Sequence, residues 1–318
     1  MPEQFSKEEV TVEPSFPSTV KIILNPVAGR GYGAKAEPEL CRLLEEEGLN
    51  FELVRTCSPW HAAELAEQAA SDGFEHIVAV GGDGTYNEVL NGLMAASRNG
   101  ATPILGVIPA GSGSDFANTV GIPPDLRGAC HRLVHGQTRV VDIGRVTVPG
   151  QAPRYFDNTV NIGFGGVVTV EARKIKRLRG TALYLLVVLK TVFLYYEAPP
   201  VTIEYDGRKL ALPAVMISIA NGPREGGGFH VAPHAQPDDG LLDLCIVHEV
   251  SRLRMLRLIP HFMKGTHVNQ EPITMAQTRQ VTISSPDHLI AHMDGEILCT
   301  DAHRIECEIL PRRLRVRH

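Results

Sequence analysis

The 318-residue chain has no long apolar run. Its most hydrophobic stretch, TALYLLVVLKTVFLYY at residues 181–196, is interrupted by Lys190. It is also shorter than the roughly 20 residues that cross a bilayer, so it is not expected to span a membrane. Paired cysteines are missing too. Cys41, Cys57, Cys130, Cys245, Cys299 and Cys307 are scattered without a C-x-x-C, which argues against a zinc or redox centre. The N-terminal MPEQFSKEEVTVEP is acidic and lacks an apolar signal core, so free thiols in a reducing cytoplasm are expected. A net charge of only -5 argues against a nucleic-acid partner held by bulk electrostatics. There is no internal repeat and no low-complexity tract.

At 43% hydrophobic and 21% charged, the composition is that of a globular protein long enough for two domains. Residues 1–18 are polar and Pro-rich and read as a loosely held tail. From Val20 to about residue 142, strand patterns (VKIIL, FELVRT, HIVAV, ILGVI) alternate with helical ones. This predicts an α/β domain with a parallel sheet over 19–142. Beyond Val140–Arg145 the chain becomes short strands separated by Gly, Pro and Asn: RVVDIGRVTV, YFDNTVNIG, VTIEYDG, PAVMISIANG, LLDLCIVHEV, RQVTISS, LIAHMDGE and RIECEIL. They predict an antiparallel β domain over 143–318, interrupted by helical segments near 168–197 and 251–265.

Three times the first half runs strand, glycine turn, helix: Asn25–Gly31, Gly81–Thr85 and Pro109–Asp115. In a parallel sheet all three turns lie on the carboxyl edge, where open α/β folds bind ligands. Gly81, Gly82 and Gly84 strip side chains from around Asp83, so a ligand can approach the backbone. Tyr86, Val89, Leu90, Leu93 and Met94 form one apolar helical face, and Thr85 with Glu88 has capping-box spacing. The helix start then offers N–H groups and a positive dipole end to a phosphate. There is no G-x-x-x-x-G-K-[ST], and Phe116 stands where a G-x-G-x-x-G needs its third glycine. A single such turn merely closes a connection; three on one edge, two with an Asp, favour a phosphate-rich ligand.

Together NPVAGRG, GGDGTYNEVLNGL and IPAGSGSDFA resemble the catalytic domain of the diacylglycerol kinase family, which includes bacterial soluble lipid kinases and sphingosine kinases. The resemblance continues through NIGFGG, ANGPREGGGFHVAPHAQPDDGLLDL and HMDGE, covering Val20 to Glu296. GGDGT alone is shared with NAD kinases, but NPVAGRG, GSGSDFA and HMDGE are left unexplained by that reading. The resemblance implies an α/β nucleotide-binding domain and a β-sandwich lipid domain, with the active site in the cleft between them and the last residues packing back on the first domain. It implies an ATP- and Mg2+-dependent lipid kinase, with diacylglycerol as the leading acceptor and sphingosine-like lipids or phosphatidylglycerol as alternatives. A catalytically silent nucleotide- or lipid-binding protein is the rival of another class.

Carried over residue by residue, the resemblance places nucleotide contacts at Asn25, Pro26, Val27, Ala28, Gly29, Thr56, Gly82, Asp83, Gly84, Thr85, Tyr86, Asn87, Glu88 and Ser112. Asp83 and Asp115 are implied to position the catalytic magnesium, mostly through water, and Glu296 to act as general base with Asp294 as its partner. A structural Mg2+ is implied at Asp239 with backbone oxygens of Gln236 and Leu241. On residue chemistry alone, HMDGE is equally a D-G hairpin turn carrying two solvated acids. RKIKRLRG before the apolar stretch reads first as a solvated basic turn and second as a contact with anionic lipid. His230 and His234 have helical metal spacing, but Pro233 breaks a helix there, which argues against zinc. Peripheral membrane contact is expected, and the oligomeric state, a homodimer included, is left open.

Overall fold

A computed structural model describes residues 19–97, 102–111, 114–175 and 180–318. The expected tail, Ser112, and Lys176, Arg177 and Arg179 of the basic run lie outside these residues.

The first half runs β1 (Val20–Leu24), α1 (Ala28–Glu46), β2 (Phe51–Arg55), α2 (His61–Ser71), β3 (His76–Gly81), α3 (Asp83–Ala96), β4 (Ile104–Pro109), α4 (Asp115–Thr119) and α5 (Leu126–His135). The strands pair in the order β4-β3-β1-β2, all parallel. Ile22, Ile23 and Leu24 are all fully buried, as suits a strand covered on both faces. The chain leaves β1 toward β2 on one side and returns through β3 to β4 on the other. The turns after β1 and β3 therefore flank the point where the strand order reverses, the crevice in which such sheets hold ligands.

The second half comprises β5 (Thr138–Thr147), β6 (Arg154–Phe156), β7 (Thr159–Gly163), α6 (Phe164–Lys174), α7 (Gly180–Leu194), β8 (Pro200–Tyr205), β9 (Arg208–Ala220), β10 (Leu242–His248), α8 (Arg252–Lys264), β11 (Ile273–Thr278), β12 (Gln280–Met293) and β13 (Glu296–Arg317). The helical segment expected over 168–197 is thus two helices, α6 and α7. The long strands β9 and β12 each use one half against β8 and the other against β7. The four strands close on themselves around Val160, Ile162, Ile203, Ile217, Ile283 and Met293. This closure makes the domain sandwich-like. On the outer face of β9, β10 and β11, helices α6, α7 and α8 cover Val215, Cys245, Val247 and Ile273.

β5 and β13 join the two halves. Val140–Arg145, where the sequence texture changes, lies inside β5, which pairs along β13. The end of β13 runs parallel to β4, Arg315 opposite Ile104, and buries Leu314 and Val316 in the first core with Val141 and Ile143. The C-terminal arginines are used on helix ends. Arg313 donates to Ser97 O at 2.6 Å after α3, and Arg317 to Leu133 O and Val134 O at 3.0 and 2.8 Å in the last turn of α5. Cations suit these unpaired carbonyls.

Candidate active site

The three glycine turns touch. Asn25 Nδ2 donates to Thr85 Oγ1 at 3.0 Å, Asn25 N to Val80 O, and Ala110 N to Gly81 O at 2.7 Å. Gly29, at φ 56°, lies so close to the third turn that a Cβ on it would sit 2.6 Å from Ala110 O. Asn25, Pro26, Val27, Ala28 and Gly29 thus border the start of α3, with Val27 strongly exposed. Thr56, whose N–H donates to Leu24 O, follows β2 on the same edge.

The cap of α3 differs from the expected capping box. Gly82 is the N-cap and Asp83 the first helical residue. The Thr85 hydroxyl is taken by Asn25, and Glu88 Oε2 instead accepts the Ala62 N–H at 3.2 Å in the first turn of α2. Tertiary partners outcompeted the local box. Tyr86 is fully buried and donates its hydroxyl to Gly81 O at 3.0 Å. Its side chain supports the turn from beneath and leaves only its backbone near a ligand.

The HMDGE segment is a two-residue hairpin, with Asp294 and Gly295 at φ 46° and 80° and Met293 paired to Glu296. The expected hairpin is present, but Asp294 is not solvated: it is 5% exposed. Its carboxylate accepts from Asn87 Nδ2 at 2.9 Å and from the backbone N–H groups of Asp157, Asn158 and Thr159 at 3.1, 3.3 and 2.7 Å. Those donations break YFDNTVNIG into β6 and β7, where the sequence reads as one strand. Glu296 reaches the first domain. A Cβ on Gly84 would lie 3.2 Å from Glu296 Oε1.

Asp83, Asp115, Glu225, Asp294 and Glu296 line one cleft of about 240 Å3, with Gly84, Gly227 and His292. Asp83 Oδ1 accepts the Phe116 N–H at 3.1 Å, and Asp115 Oδ2 the Gly227 N–H at 2.9 Å. Burial, then the neighbouring Asp115 and Asp294, pushes the Asp83 carboxyl up to about 7. Burial also raises Asp115 and Asp294, the latter opposed by its N–H donors. Asp157, fully buried, meets no N–H donor at its carboxyl oxygens and is raised well above the ordinary range by burial and then by Asp294.

Sequence reasoning missed four of these groups. Asp157 was hidden in an alternating strand pattern. Glu225 stands in a glycine-rich stretch without a local signature; it accepts from His292 Nε2 at 2.8 Å and Asn161 Nδ2 at 3.0 Å. His292 stands two residues before Asp294, at the head of the same motif. Arg154, with its guanidinium 4.4 Å from the Trp60 ring centre, carries its charge toward Glu296, Asp294 and Glu88. The expected structural-metal residues lie elsewhere, in the turn before β10. There Asp239 Oδ1 accepts the Leu241 N–H at 2.9 Å, and Asp243 is pushed up to about 6 by burial and by Asp239.

A second cavity begins where this cleft ends. Phe164, Val188, Met216, Phe229, Met255, Ile259 and Phe262 line a narrow apolar space of about 40 Å3 with Asn161 and Glu225. Glu225 borders both.

Comparison with known proteins agrees with this two-part fold. Residues 19–146 match the diacylglycerol kinase catalytic domain, and residues 158–318 match the YegS C-terminal NAD kinase beta sandwich-like domain. The diacylglycerol kinase of Bacillus subtilis (strain 168) is 33% identical over 284 residues, 87% of this chain and 89% of that one. That of Mycobacterium tuberculosis is 27% identical over 282 residues, 88% of this chain and 89% of that one. A crystal structure from Bacillus anthracis shares the fold at a TM-score of 0.77 and 24% identity, over 94% of this chain and 96% of that chain. The chain belongs to the diacylglycerol kinase family and is a lipid kinase.

Proposed function

We propose that the protein transfers the γ-phosphate of ATP to the hydroxyl of diacylglycerol, giving phosphatidic acid. The observation that carries this reading is the junction at Glu225, where a carboxylate-lined cleft against the glycine turns meets an apolar cavity. Phosphoryl transfer asks the protein for positioned phosphates, neutralised charge and a route for the hydroxyl proton. The backbone of Gly82–Glu88 and of Asn25–Gly29 receives the phosphates at the start of α3. Glu296, beside Gly84, takes the proton of the acceptor hydroxyl. Asp294, its four donors already fixed, holds the hairpin in place.

The cleft fits magnesium. Its donors are carboxylate oxygens, the hard ligands that Mg2+ takes, and burial, with the neighbouring acids, raises Asp83 and Asp115, a cost that a divalent cation would offset. Asp83 and Asp115 would hold the ion, which would supply charge neutralisation for phosphoryl transfer. The same reading gives a structural Mg2+ to Asp239 with the carbonyls of Gln236 and Leu241. A lipid tail enters the apolar cavity by parting α7 from α8, and Met216 and Met255 in its wall are suited to reshaping. The test is label transfer from γ-labelled ATP to diacylglycerol, sphingosine and phosphatidylglycerol offered separately. Diacylglycerol is expected to be the best acceptor, and preference for another overturns the assignment.

A further inference from the structure

Among the described residues no helix is long and apolar enough to cross a membrane, yet the acceptor of the proposed reaction resides in one. Two helices bear on how it is reached. α8 buries Met255, Leu258, Ile259 and Phe262 on one face. The opposite face carries Leu253, Arg257, Pro260 and Lys264 at i, i+4, i+7 and i+11, all exposed. Arg252, Arg254 and Met263, also exposed, flank it. No acid occurs within α8, although the whole chain is net acidic at -5. Arg254 meets Glu271 only at 3.4 Å, through a glutamate whose side chain is 90% exposed.

α7 repeats the pattern with apolar residues. Val187, Val188, Thr191 and Val192 are buried, while Leu186, Phe193 and Leu194 are 46, 56 and 64% exposed. Tyr195 follows at 41%, with Lys190 Nζ 5.7 Å from the centre of its ring. Lys190 is also paired with Glu171 of α6 at 2.7 Å, so the outer face of α7 is close to neutral. Both helices cover the same face of β9, β10 and β11, so their outer faces look the same way, away from the sheet. Isolated exposed apolar residues are ordinary. Four in one stretch of α7 and its end, beside a basic helix, mark a surface that meets an apolar, anionic partner.

We propose that the outer faces of α7 and α8 dock on an anionic phospholipid bilayer, so that the apolar cavity beneath them opens toward the lipid. This rests on the lipid-acceptor reading above and locates where that lipid enters. The cavity walls are the inner faces of the same two helices: Val188 from α7, and Met255, Ile259 and Phe262 from α8. Arg252, Arg257 and Lys264 meet lipid headgroups while Phe193, Leu194 and Leu253 enter the boundary of the acyl layer. A lipid then moves from bilayer to Glu225 without exposing its chains to water.

The test is sedimentation of the full chain with phosphatidylcholine vesicles and with vesicles in which about one lipid in three is phosphatidylglycerol. Binding is expected only to the second, and is expected to fall as salt rises. Neutralising Arg252, Arg257 and Lys264 to Gln is expected to weaken it about fivefold for each charge removed. Phe193→Gln with Leu253→Gln is expected to weaken it without changing the salt dependence. All these variants should phosphorylate a short-chain, water-soluble diacylglycerol at the wild-type rate, which also shows that they fold. Vesicle binding that is absent in the wild type, or unchanged in the variants, overturns the proposal, as does a wild-type dimer that the variants dissociate. Loss of the short-chain reaction in the wild type instead overturns the kinase assignment on which it rests.

Discussion

Asn87 donates its side-chain amide to the Asp294 carboxylate at 2.9 Å, across 207 residues of sequence. The first sits in the helix that opens at GGDGT, the second at the hairpin that carries Glu296. One hydrogen bond therefore fixes the nucleotide-side turn against the proposed base, and both groups are almost without solvent exposure. Asp294 also takes the three N–H groups of Asp157, Asn158 and Thr159.

Asp294→Ala leaves these donors buried and unpaired. Each unsatisfied group costs about 1–3 kcal/mol, so the variant is expected to lose on the order of 3–5 kcal/mol in urea unfolding. A loss below about 1 kcal/mol contradicts an anchoring role for this carboxylate.

Gly84→Ala separates chemistry from stability. Alanine suits a helix better than glycine by roughly 1 kcal/mol, so unfolding should be unchanged or slightly harder. Its Cβ would meet Glu296 Oε1 at 3.2 Å and push the carboxylate away from its place. The transfer rate is expected to fall by on the order of ten- to a hundredfold. A wild-type rate shows that Glu296 does not act from this position.

The cleft carboxylates make stability depend on pH in a definite direction. Asp83 is raised in the folded state to about 7 from an ordinary value of 3.8. Between those values the folded protein holds a proton that the unfolded chain has lost, so stability falls as pH rises through that window. Asp83→Asn in EDTA should show a shallower fall of melting temperature from pH 4 to 7 than wild type. Mg2+ should restore stability above pH 7 and do little near pH 5, where the carboxyl is protonated. Equal stabilisation at both values rules out Asp83 as a ligand.

Filling the apolar cavity tests the lipid side. Ile259→Trp takes up its narrow volume, so KM for a long-chain diacylglycerol should rise several-fold, on the order of one lost 1 kcal/mol contact. KM for a short-chain analogue should hardly move. An equal rise for both places the tail elsewhere.

The sequence displays this site unevenly, for physical reasons. The glycine turns and Asp83, Asp115 and Glu296 are visible because each stands in a short segment whose backbone demands are local. β7 was hard to delimit because its start is set by Asp294, which draws three N–H groups out of a strand pattern more than a hundred residues earlier in the chain. Thr85 and Glu88 have the spacing of a capping box, yet both find partners on other elements. Glu225, His292 and Arg154 have no local signature at all. Their roles arise only when the loop before β10, the hairpin of β12 and the strand β6 are brought to one cleft. The resemblance implied that the last residues pack back on the first domain, but the strand pairings that do this, β13 with β4 and with β5, have no local signature in the sequence.

The central claim is that Glu296, held against the glycine turn, takes the proton of a lipid hydroxyl. Its most direct test is label transfer from γ-labelled ATP to diacylglycerol with Mg2+, comparing wild type with Glu296→Gln at matched nucleotide binding. The wild type should yield a labelled, solvent-extractable lipid, and the variant should bind nucleotide equally while reacting about 10²–10⁴-fold more slowly. Transfer to NAD in place of lipid, or a variant within a few-fold of wild type, contradicts the account.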